Sequence, residues 1–310
     1  MLAAMQTESL GVFLKTRRDR VRPDGAGLRT YGTTRRVPGL RREELAQLAG
    51  VSVGYYTRLE QDQSGTASPQ VLDALARVLD LDDAETTHLH NLARRPGVSR
   101  LLRPDPETPH PHELSLLRSL GESIPAVILG RRGDVLAWNR TGHLLLAEHL
   151  DHDAPAVPET RPSMPRMFFL DPLHRDLYRD WNRLARVHIG YLRLTSGRYP
   201  TDGRLAELIG ELVMRSPEFA TLWTSGHVAD CTTGPMDLQH PTIGRVDVDY
   251  QVWRQPDGPD HRLEVYTPRE PASEDALRLL DADAATPRPA RRAAQPRRRE
   301  IVRPSQTSGS

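Results

Sequence analysis

Residues 40–61 read LRREELAQLAGVSVGYYTRLEQ, and this stretch decides the fold of the first part of the chain. Its early apolar residues recur at helical spacing and predict one buried face: Leu45, Leu48 and Ala49. Gly50 is predicted to end this helix, because glycine accepts the left-handed conformation found just beyond a helix end. Ser52 is a favoured N-cap residue for a second helix. Two helices joined by so short a glycine-containing turn are typical of a helix-turn-helix.

The second helix of this motif has two different sides. Tyr56 and Leu59 are three residues apart and are expected to face the core. The opposite side is exposed and can enter a DNA major groove, where Arg58 can donate two parallel hydrogen bonds to guanine. Tyr55 has two interpretations: it reaches a phosphate or a base edge, or it covers apolar surface.

The order of small, apolar and polar positions resembles the lambda-repressor-like (Xre) helix-turn-helix family. The matching residues are Leu45-Ala46, Gly50-Val51-Ser52 and Leu59-Glu60. The resemblance implies a set of DNA-contacting residues: Arg42, Ser52, Val53, Gly54, Tyr55, Thr57 and Arg58. Arg42 stands where that family usually has glutamine, which favours a phosphate contact over a base contact.

The same resemblance implies one buried ion pair and one unusual turn. Glu60 matches an acid that pairs with an arginine of the first helix, with Arg18 as the first choice of partner and Arg17 as the second. Asp62 stands where the family prefers glycine, so the turn after the second helix is expected to differ.

Caps and apolar spacing over residues 8–95 predict a mainly α domain of five short helices. Ser68-Pro69 and the pair Asp82 and Glu85 are signals for the start of two of them. Up to Glu60 there are 11 Lys or Arg against 6 Asp or Glu, which favours a phosphate-facing surface through counterion release. An ordinary solvated surface is the alternative. The arginine-rich loop over residues 21–39 either braces against DNA or is an insertion.

The rest of the chain divides by composition. Five prolines predict a linker over residues 96–112, followed by a second domain over residues 113–280. Residues 281–310 are expected to be a disordered basic tail, which either adds non-specific DNA affinity or is simply solvated. The single cysteine, Cys231, excludes an intrachain disulfide. With no secretory signal and no apolar run near the roughly 20 residues of a membrane span, the expected location is cytoplasmic, at the nucleoid.

The second domain reads as strands, then helices, then strands. Short apolar runs over residues 124–129 and 135–138 predict the first two strands, and strict alternation over residues 246–252 predicts a later one. Between them, one long helix is predicted over residues 171–192, and Asp202 and Ser216 open two more. This order predicts an α+β fold.

Longer strings on both sides of the linker resemble the MmyB-like regulators of actinobacteria. Among them are VPGLRREELAQLAGVSVGYYTRLEQ, VILGRRGDVLAWNR, FFLDPLHRDLYRDW and HPTIGRVDVDY. The resemblance implies that the second domain is PAS-like and binds a small apolar ligand such as a fatty acid.

Aromatic residues supply the candidates for lining such a pocket: Trp138, Phe168, Phe169, Tyr178, Trp181 and Tyr191. Ordinary core packing is the alternative for each of them. Asn139 either orients a ligand or caps the following helix, and His188 is expected to be a core histidine. No catalytic residue, metal site or cofactor motif is predicted.

The sequence therefore predicts a homodimeric regulator that binds a double-stranded DNA operator and senses a small ligand. Catalysis and membrane insertion are not expected. Two alternatives remain open, a DNA-anchored enzyme and an adaptor whose second domain binds another protein.

Overall fold

The computed structural model describes residues 9–22, 39–63, 67–94, 104–224, 226, 232–255, 258 and 260–285. Within these ranges the first domain consists of five helices: α1 (Leu10–Arg18), α2 (Arg42–Leu48), α3 (Val53–Glu60), α4 (Pro69–Val78) and α5 (Asp83–Ala93). The predicted helical fold, with α2 and α3 as the helix-turn-helix, is confirmed. Most of the arginine-rich loop lies outside the described residues.

Helix starts in this domain follow the predicted caps. The side chains of Ser52, Ser68 and Asp82 each accept a hydrogen bond from the backbone N–H three residues later, which satisfies a donor that the helix itself leaves unpaired. One apolar core joins the five helices, and Leu45 and Ala46 are the buried residues of α2. The expectation that Leu48 would also be buried is wrong. Because α2 is only seven residues long with a narrow buried face, Leu48 is 37% exposed.

The second domain contains, in the described part of the chain, a five-stranded antiparallel sheet, eight α-helices and a short 3-10 helix (Ala154–Ala156). The strands are β1 (Ala126–Leu129), β2 (Val135–Trp138), β3 (Thr233–His240), β4 (Gly244–Arg254) and β5 (Arg262–Pro268). The helices are α6 (Pro111–Ser119), α7 (Arg140–Ala147), α8 (Met164–Leu170), α9 (Pro172–Leu177), α10 (Trp181–Arg198), α11 (Gly203–Arg215), α12 (Pro217–Thr224) and α13 (Pro271–Ala285). The strand order is β2-β1-β5-β4-β3, and the predicted α+β class is confirmed.

The two faces of the sheet are covered differently. The inner face packs on α7 to α13 and forms the large apolar core of the domain. Part of the outer face, at β1 and β5, packs on Leu117 of α6 in a smaller cluster. None of the described helices is long and apolar enough to cross a membrane.

Two domain boundaries need correction. The predicted linker is too long, because α6 begins at Pro111 and Glu107 already contacts Arg132 and Arg161 of the second domain. The predicted tail starts too early, because α13 continues to Ala285. The composition of this segment does not predict a helix, although Leu280 packs in the domain core. Residues 286–310 lie outside the described ranges.

Two elements between residues 171 and 240 also differ from the prediction. The single long helix is broken after Leu177, and Asp180 caps α10 by accepting the backbone N–H of Arg183. Tyr178, at the break, forms an isolated bridge with Leu238 of β3. β3 itself was missed, because it carries a proline and few apolar residues, a composition that edge strands tolerate.

Asn139 is a capping residue. Its Oδ1 accepts hydrogen bonds from the backbone N–H groups of Gly142 and Ala126, both at 2.9 Å. Its Nδ2 donates to the carbonyls of Gly121 and Ile124, both at 2.7 Å. The amide therefore ties α7 to β1 from both of its ends, which accords with the capping alternative.

Candidate DNA-binding surface and ligand-binding core

Backbone hydrogen bonds fix the turn between α2 and α3. Gly50 has a φ of +68°, in the left-handed region, and its N–H donates to the Gln47 carbonyl at 3.2 Å. The N–H of Val51 donates to the Ala46 carbonyl at 2.9 Å. Together these two bonds make the Schellman motif that ends a helix. The turn thus sets the angle at which α3 leaves α2.

The outward side of α3 is accessible. Its exposed residues, with the preceding cap, are Ser52, Val53, Gly54 and Arg58. Tyr55 and Thr57 are half-buried, and Tyr55 packs partly against the domain core. Tyr56 and Leu59 are fully buried, as expected from their spacing. Contact between the outward residues and DNA stays a prediction.

Two arginines bind Glu60, the last residue of α3. Arg18 donates from Nε and Nη2 to the two carboxylate oxygens at 3.0 and 3.1 Å, and from Nη1 to the Leu40 carbonyl at 2.7 Å. Arg42 donates from Nε and Nη2 to Oε1 of the same carboxylate, at 3.0 and 2.8 Å. Glu60 therefore joins α1, α2 and α3 at one point.

Sequence reasoning missed the second of these partners. Arg42 was assigned to a DNA phosphate, whereas its guanidinium is bound to Glu60 while the side chain stays 43% exposed. No spacing rule signals this pair in the sequence, because it depends on how α2 and α3 cross. An arginine in this position can hold the motif together and still present positive charge to DNA.

The electrostatics of this ion pair favour the charged form of Glu60. Burial alone would raise the pKa of the Glu60 carboxyl, but the hydrogen bonds from Arg18 and Arg42 outweigh it and hold the pKa below its usual value. Burial, reinforced by the nearby Glu60 charge, raises the pKa of Tyr56. Glu60 is therefore ionised at neutral pH and pairs with both arginines.

The structure also bears on the two remaining predictions around α1, the second-choice partner Arg17 and the turn at Asp62. Arg17, the second choice of partner for Glu60, binds Glu85 instead, with Nε 2.9 Å from Oε1. Asp62 adopts the left-handed conformation, with a φ of +56°, that glycine would usually supply. Its carboxylate accepts the backbone N–H of Gly11 at 2.9 Å and so fastens α1 to the end of α3.

Four of the six aromatic candidates form one cluster on the inner side of the sheet. Phe168 is at its centre, with its ring centroid 5.0 Å from those of Phe169 and Tyr178 and 5.2 Å from that of Trp181. The indole N–H of Trp181 donates to the Phe168 carbonyl at 3.2 Å. Phe219 of α12 extends the cluster, 5.0 Å from Phe169. These rings are buried and in mutual contact.

The other two candidates are buried at separate places. Trp138 donates from its indole N–H to the His152 carbonyl at 2.7 Å, and its ring lies tilted against that of His143, with 4.8 Å between centroids. Tyr191 donates its hydroxyl to the Arg131 carbonyl at 2.9 Å. The structure therefore does not place Trp138 and Tyr191 in ring contact with the Phe168 cluster.

Two histidines border the aromatic cluster. The ring of His188 lies 4.3 Å from that of Phe168, and the pKa of His188 is lowered by burial and by the charge of Arg262. His174 is 1% exposed, and burial lowers its pKa to about 3. Both imidazoles are neutral at physiological pH, which keeps this core free of histidine charge. His174 was not singled out from the sequence, because it is in a polar string.

Comparison with known families agrees with this two-part geometry. Residues 110–280, more than half of the chain, match the family model of the MmyB-like transcription regulator ligand binding domain. The chain belongs to the MmyB-like transcription regulators. Residues 9–89 match a helix-turn-helix domain, so this MmyB-like regulator pairs a DNA-binding domain with a ligand-binding domain. A comparison with curated proteins found no match.

Across the described ranges, no group of three or more His, Cys, Asp or Glu side chains could hold a metal ion. Cys231 lies outside the described residues.

Proposed function

We propose that this regulator recognises a DNA operator through α3 and changes its affinity for DNA when an apolar, fatty-acid-like ligand binds the second domain. The observation that carries the DNA part is the outward side of α3, with Val53, Gly54 and Arg58 exposed. The helix behind them is fixed at one end by the Ser52 cap and at the other by Glu60. A pre-positioned helix loses little conformational freedom on binding, so more of its contact energy appears as affinity.

Two observations support an apolar ligand with an acidic end. The aromatic cluster around Phe168 supplies apolar surface on the inner side of the sheet. Arg262, on the same side of β5, is buried, with Nη1 3.7 Å from Oε1 of Glu264 and the guanidinium 3.6 Å from the centroid of the Tyr191 ring. A ligand carboxylate would share this guanidinium with Glu264. Because the rings of the cluster contact one another, ligand entry requires them to separate. The strand order, with α7 to α12 between β2 and β3, supports the PAS-like assignment.

The DNA part is tested with a duplex selected from a random pool by the wild-type protein. Arg58→Ala should lower affinity for this duplex by about tenfold, because one bidentate arginine–guanine contact is worth about 1–3 kcal/mol. It should leave affinity for a scrambled duplex nearly unchanged. Arg77→Ala, which removes an exposed arginine from α4, is the matched control. An equal loss on both duplexes would exclude Arg58 from base readout.

The ligand part is tested by titrating dodecanoate and its methyl ester while tryptophan fluorescence is followed. All four tryptophans lie in the second domain, so the signal reports on that domain alone. Arg262→Met should weaken dodecanoate binding by about tenfold or more, since hydrogen bonds to charged groups contribute about 1.5–3 kcal/mol. Binding of the ester should change little, and Arg186→Met, at an exposed position of α10, should change neither.

Three results would contradict parts of this assignment. If the wild type binds neither compound, the apolar ligand is wrong. If it binds both equally, the acidic end is wrong. Recovery of chemically altered dodecanoate would instead support the enzyme alternative.

We also propose that the protein acts as a homodimer at the chromosome, in the cytoplasm. Two α3 helices would then bind half-sites about 34 Å apart, one turn of DNA. Sedimentation equilibrium should give twice the chain mass of 34.8 kDa. A footprint that covers a single half-site would contradict the dimer.

A further inference from the structure

The two domains contact each other through helices that also contact the aromatic cluster and the helices behind α3. α10 of the second domain packs on α5 of the first. Leu194 of α10 packs in the apolar core of the first domain, where only 8% of its surface is exposed. The same helix carries His188, whose ring contacts Phe168 in the aromatic cluster. One continuous helix therefore contacts the ligand-binding core and the DNA-binding domain.

The two helices approach each other closely at Gly197. A Cβ added there would be 2.6 Å from Nδ1 and 2.7 Å from Cε1 of His88 on α5. His88 is fully buried and packs edge-on against Phe13 of α1, at 5.2 Å between ring centroids. Only a residue without a side chain allows α10 to lie this close. Gly197 is nine residues from His188, about 13 Å along the helix.

A second contact joins the domains at Arg17 of α1. Its Nη2 donates to the carbonyl of Gly226, which follows α12. Its Nε pairs with Glu85 of α5 at 2.9 Å, and the guanidinium lies 4.6 Å from the Phe13 ring centroid. The side chain is 2% exposed. Arg17 therefore joins α1, α5 and the end of α12 in one buried contact.

This contact is linked to the aromatic cluster from one side and to α3 from the other. The rings of Phe219 and Trp223, both on α12, stack at 5.5 Å, and Phe219 contacts Phe169. On the DNA side, the residue after Arg17 is Arg18, which binds Glu60 at the end of α3. A shift of α12 or α10 would therefore move the helix that holds the recognition helix.

We propose that Arg17 and Gly197 are positioning residues for DNA binding, through which the second domain holds α1, and with it α3, in the orientation that fits DNA. The domain contact involves α1 and α5 and leaves Val53, Gly54 and Arg58 of α3 exposed. Docking of the domains is thus compatible with DNA binding and does not block it. The regulatory use of this contact rests on the proposed function, since it needs a ligand that shifts α10 or α12.

The test uses the full-length protein and the selected duplex, without any effector. Gly197→Ala should push α10 away from His88 and lower DNA affinity by about fivefold or more, the usual lower bound of coupling between sites. Arg186→Ala, an exposed substitution on the same helix, should leave it within about twofold. Arg17→Ala should also weaken binding, and Arg17→Lys should restore part of it, because lysine keeps the charge opposite Glu85.

A variant that has simply lost its fold is recognised by hydrogen exchange of the α1 to α5 peptides, which stay protected when only the positioning of α1 is lost. A double substitution tests the contact itself. His88→Ala removes the ring that the new methyl group meets, so it should recover affinity in the Gly197→Ala background. Rescue would show that the contact with His88 causes the loss of affinity. Wild-type affinity for Gly197→Ala, or no rescue by His88→Ala, would overturn the inference. Failure of the wild type to select any duplex would instead overturn the proposed function.

Discussion

The outward side of α3 and the aromatic cluster around Phe168 are both candidates for ligand contact, yet they are built in opposite ways. α3 exposes Val53, Gly54 and Arg58, while other residues, above all Glu60, hold it from behind. In the aromatic cluster, the residues that would contact a ligand also form the core of the domain. Apart from Ser52 and Arg42, which belong to both sets, stability and binding therefore rest on separate residues in the first region. In the second region they rest on the same residues.

The largest expected effect is on the aromatic cluster. Phe168→Ala should lower the free energy of unfolding of the second domain by about 3–5 kcal/mol, because it removes the ring at the centre of a packed core. Urea unfolding followed by tryptophan fluorescence measures this change. Leu173→Ala, at a residue of α9 that is 63% exposed, should cost less than about 0.5 kcal/mol. A loss below about 1 kcal/mol for Phe168→Ala would mean that the cluster is not structural.

The support behind α3 should show the next largest effect. Arg18→Ala should destabilise the first domain by about 3 kcal/mol, because it leaves the buried Glu60 carboxylate with one guanidinium fewer. Arg42→Ala removes bonds to the same carboxylate from a side chain that is 43% exposed, and it should cost about 1 kcal/mol or less. Hydrogen exchange of the α1 to α3 peptides measures both. Equal losses would contradict burial as the cause.

The two regions should also lose stability in different ranges of pH. Burial lowers the pKa of His174 from 6.5 to about 3. The unfolded chain then binds the extra proton, so the second domain loses stability progressively as the pH falls from 6.5 towards 3. The pKa of Glu60 is lowered from 4.5, so its contribution to the first domain is complete above pH 4.5 and is lost below it.

Unfolding at a series of pH values, read by fluorescence for the second domain and by hydrogen exchange for the first, tests this difference. His174→Leu should reduce, but not abolish, the pH dependence of the second domain between pH 6.5 and 3, because the pKa of His188 is lowered as well. It should leave that of the first domain unchanged. A second domain as stable at pH 5 as at pH 7 would contradict a neutral, buried His174.

Local signals made the first region predictable. Gly50 and Ser52 specify the turn and the start of α3 through backbone chemistry that needs no distant partner. The bonds from Arg42 to Glu60 were missed, because a pair between two helices depends on their crossing, which no spacing rule contains. Leu48 was misassigned for a similar reason, since its exposure depends on where α2 meets its neighbours.

The second region was predictable only in outline. Composition identified the aromatic residues, but their grouping depends on the break between α9 and α10, where Tyr178 pairs with Leu238 of an unpredicted strand. That bridge is a tertiary contact, and it interrupts an apolar pattern that continues on both sides. For the same reason, Trp138 and Tyr191 were grouped with rings that they do not contact.

The smallest expected effect is that of Gly54→Ala, which should change DNA binding without lowering the stability of the first domain. A Cβ added to Gly54 would meet only Nη1 of Arg58, at 3.9 Å, so Gly54→Ala should leave the first domain intact or stabilise it by about 0.5–1 kcal/mol. Affinity for the selected duplex should nevertheless fall by about fivefold, because the new methyl group lies where α3 would approach the base edges.

Gly54→Ala is compared with Gln70→Ala, an exposed substitution on α4 that should alter neither property. Thermal unfolding and duplex titration of the same preparations give both quantities. Unchanged affinity would place Gly54 outside the DNA interface, and lower stability would mean that its surroundings are not open. A variant of α3 can thus be as stable as the wild type and still bind DNA more weakly. No such variant is expected in the aromatic cluster, because the loss of a ring there also removes packing from the domain core.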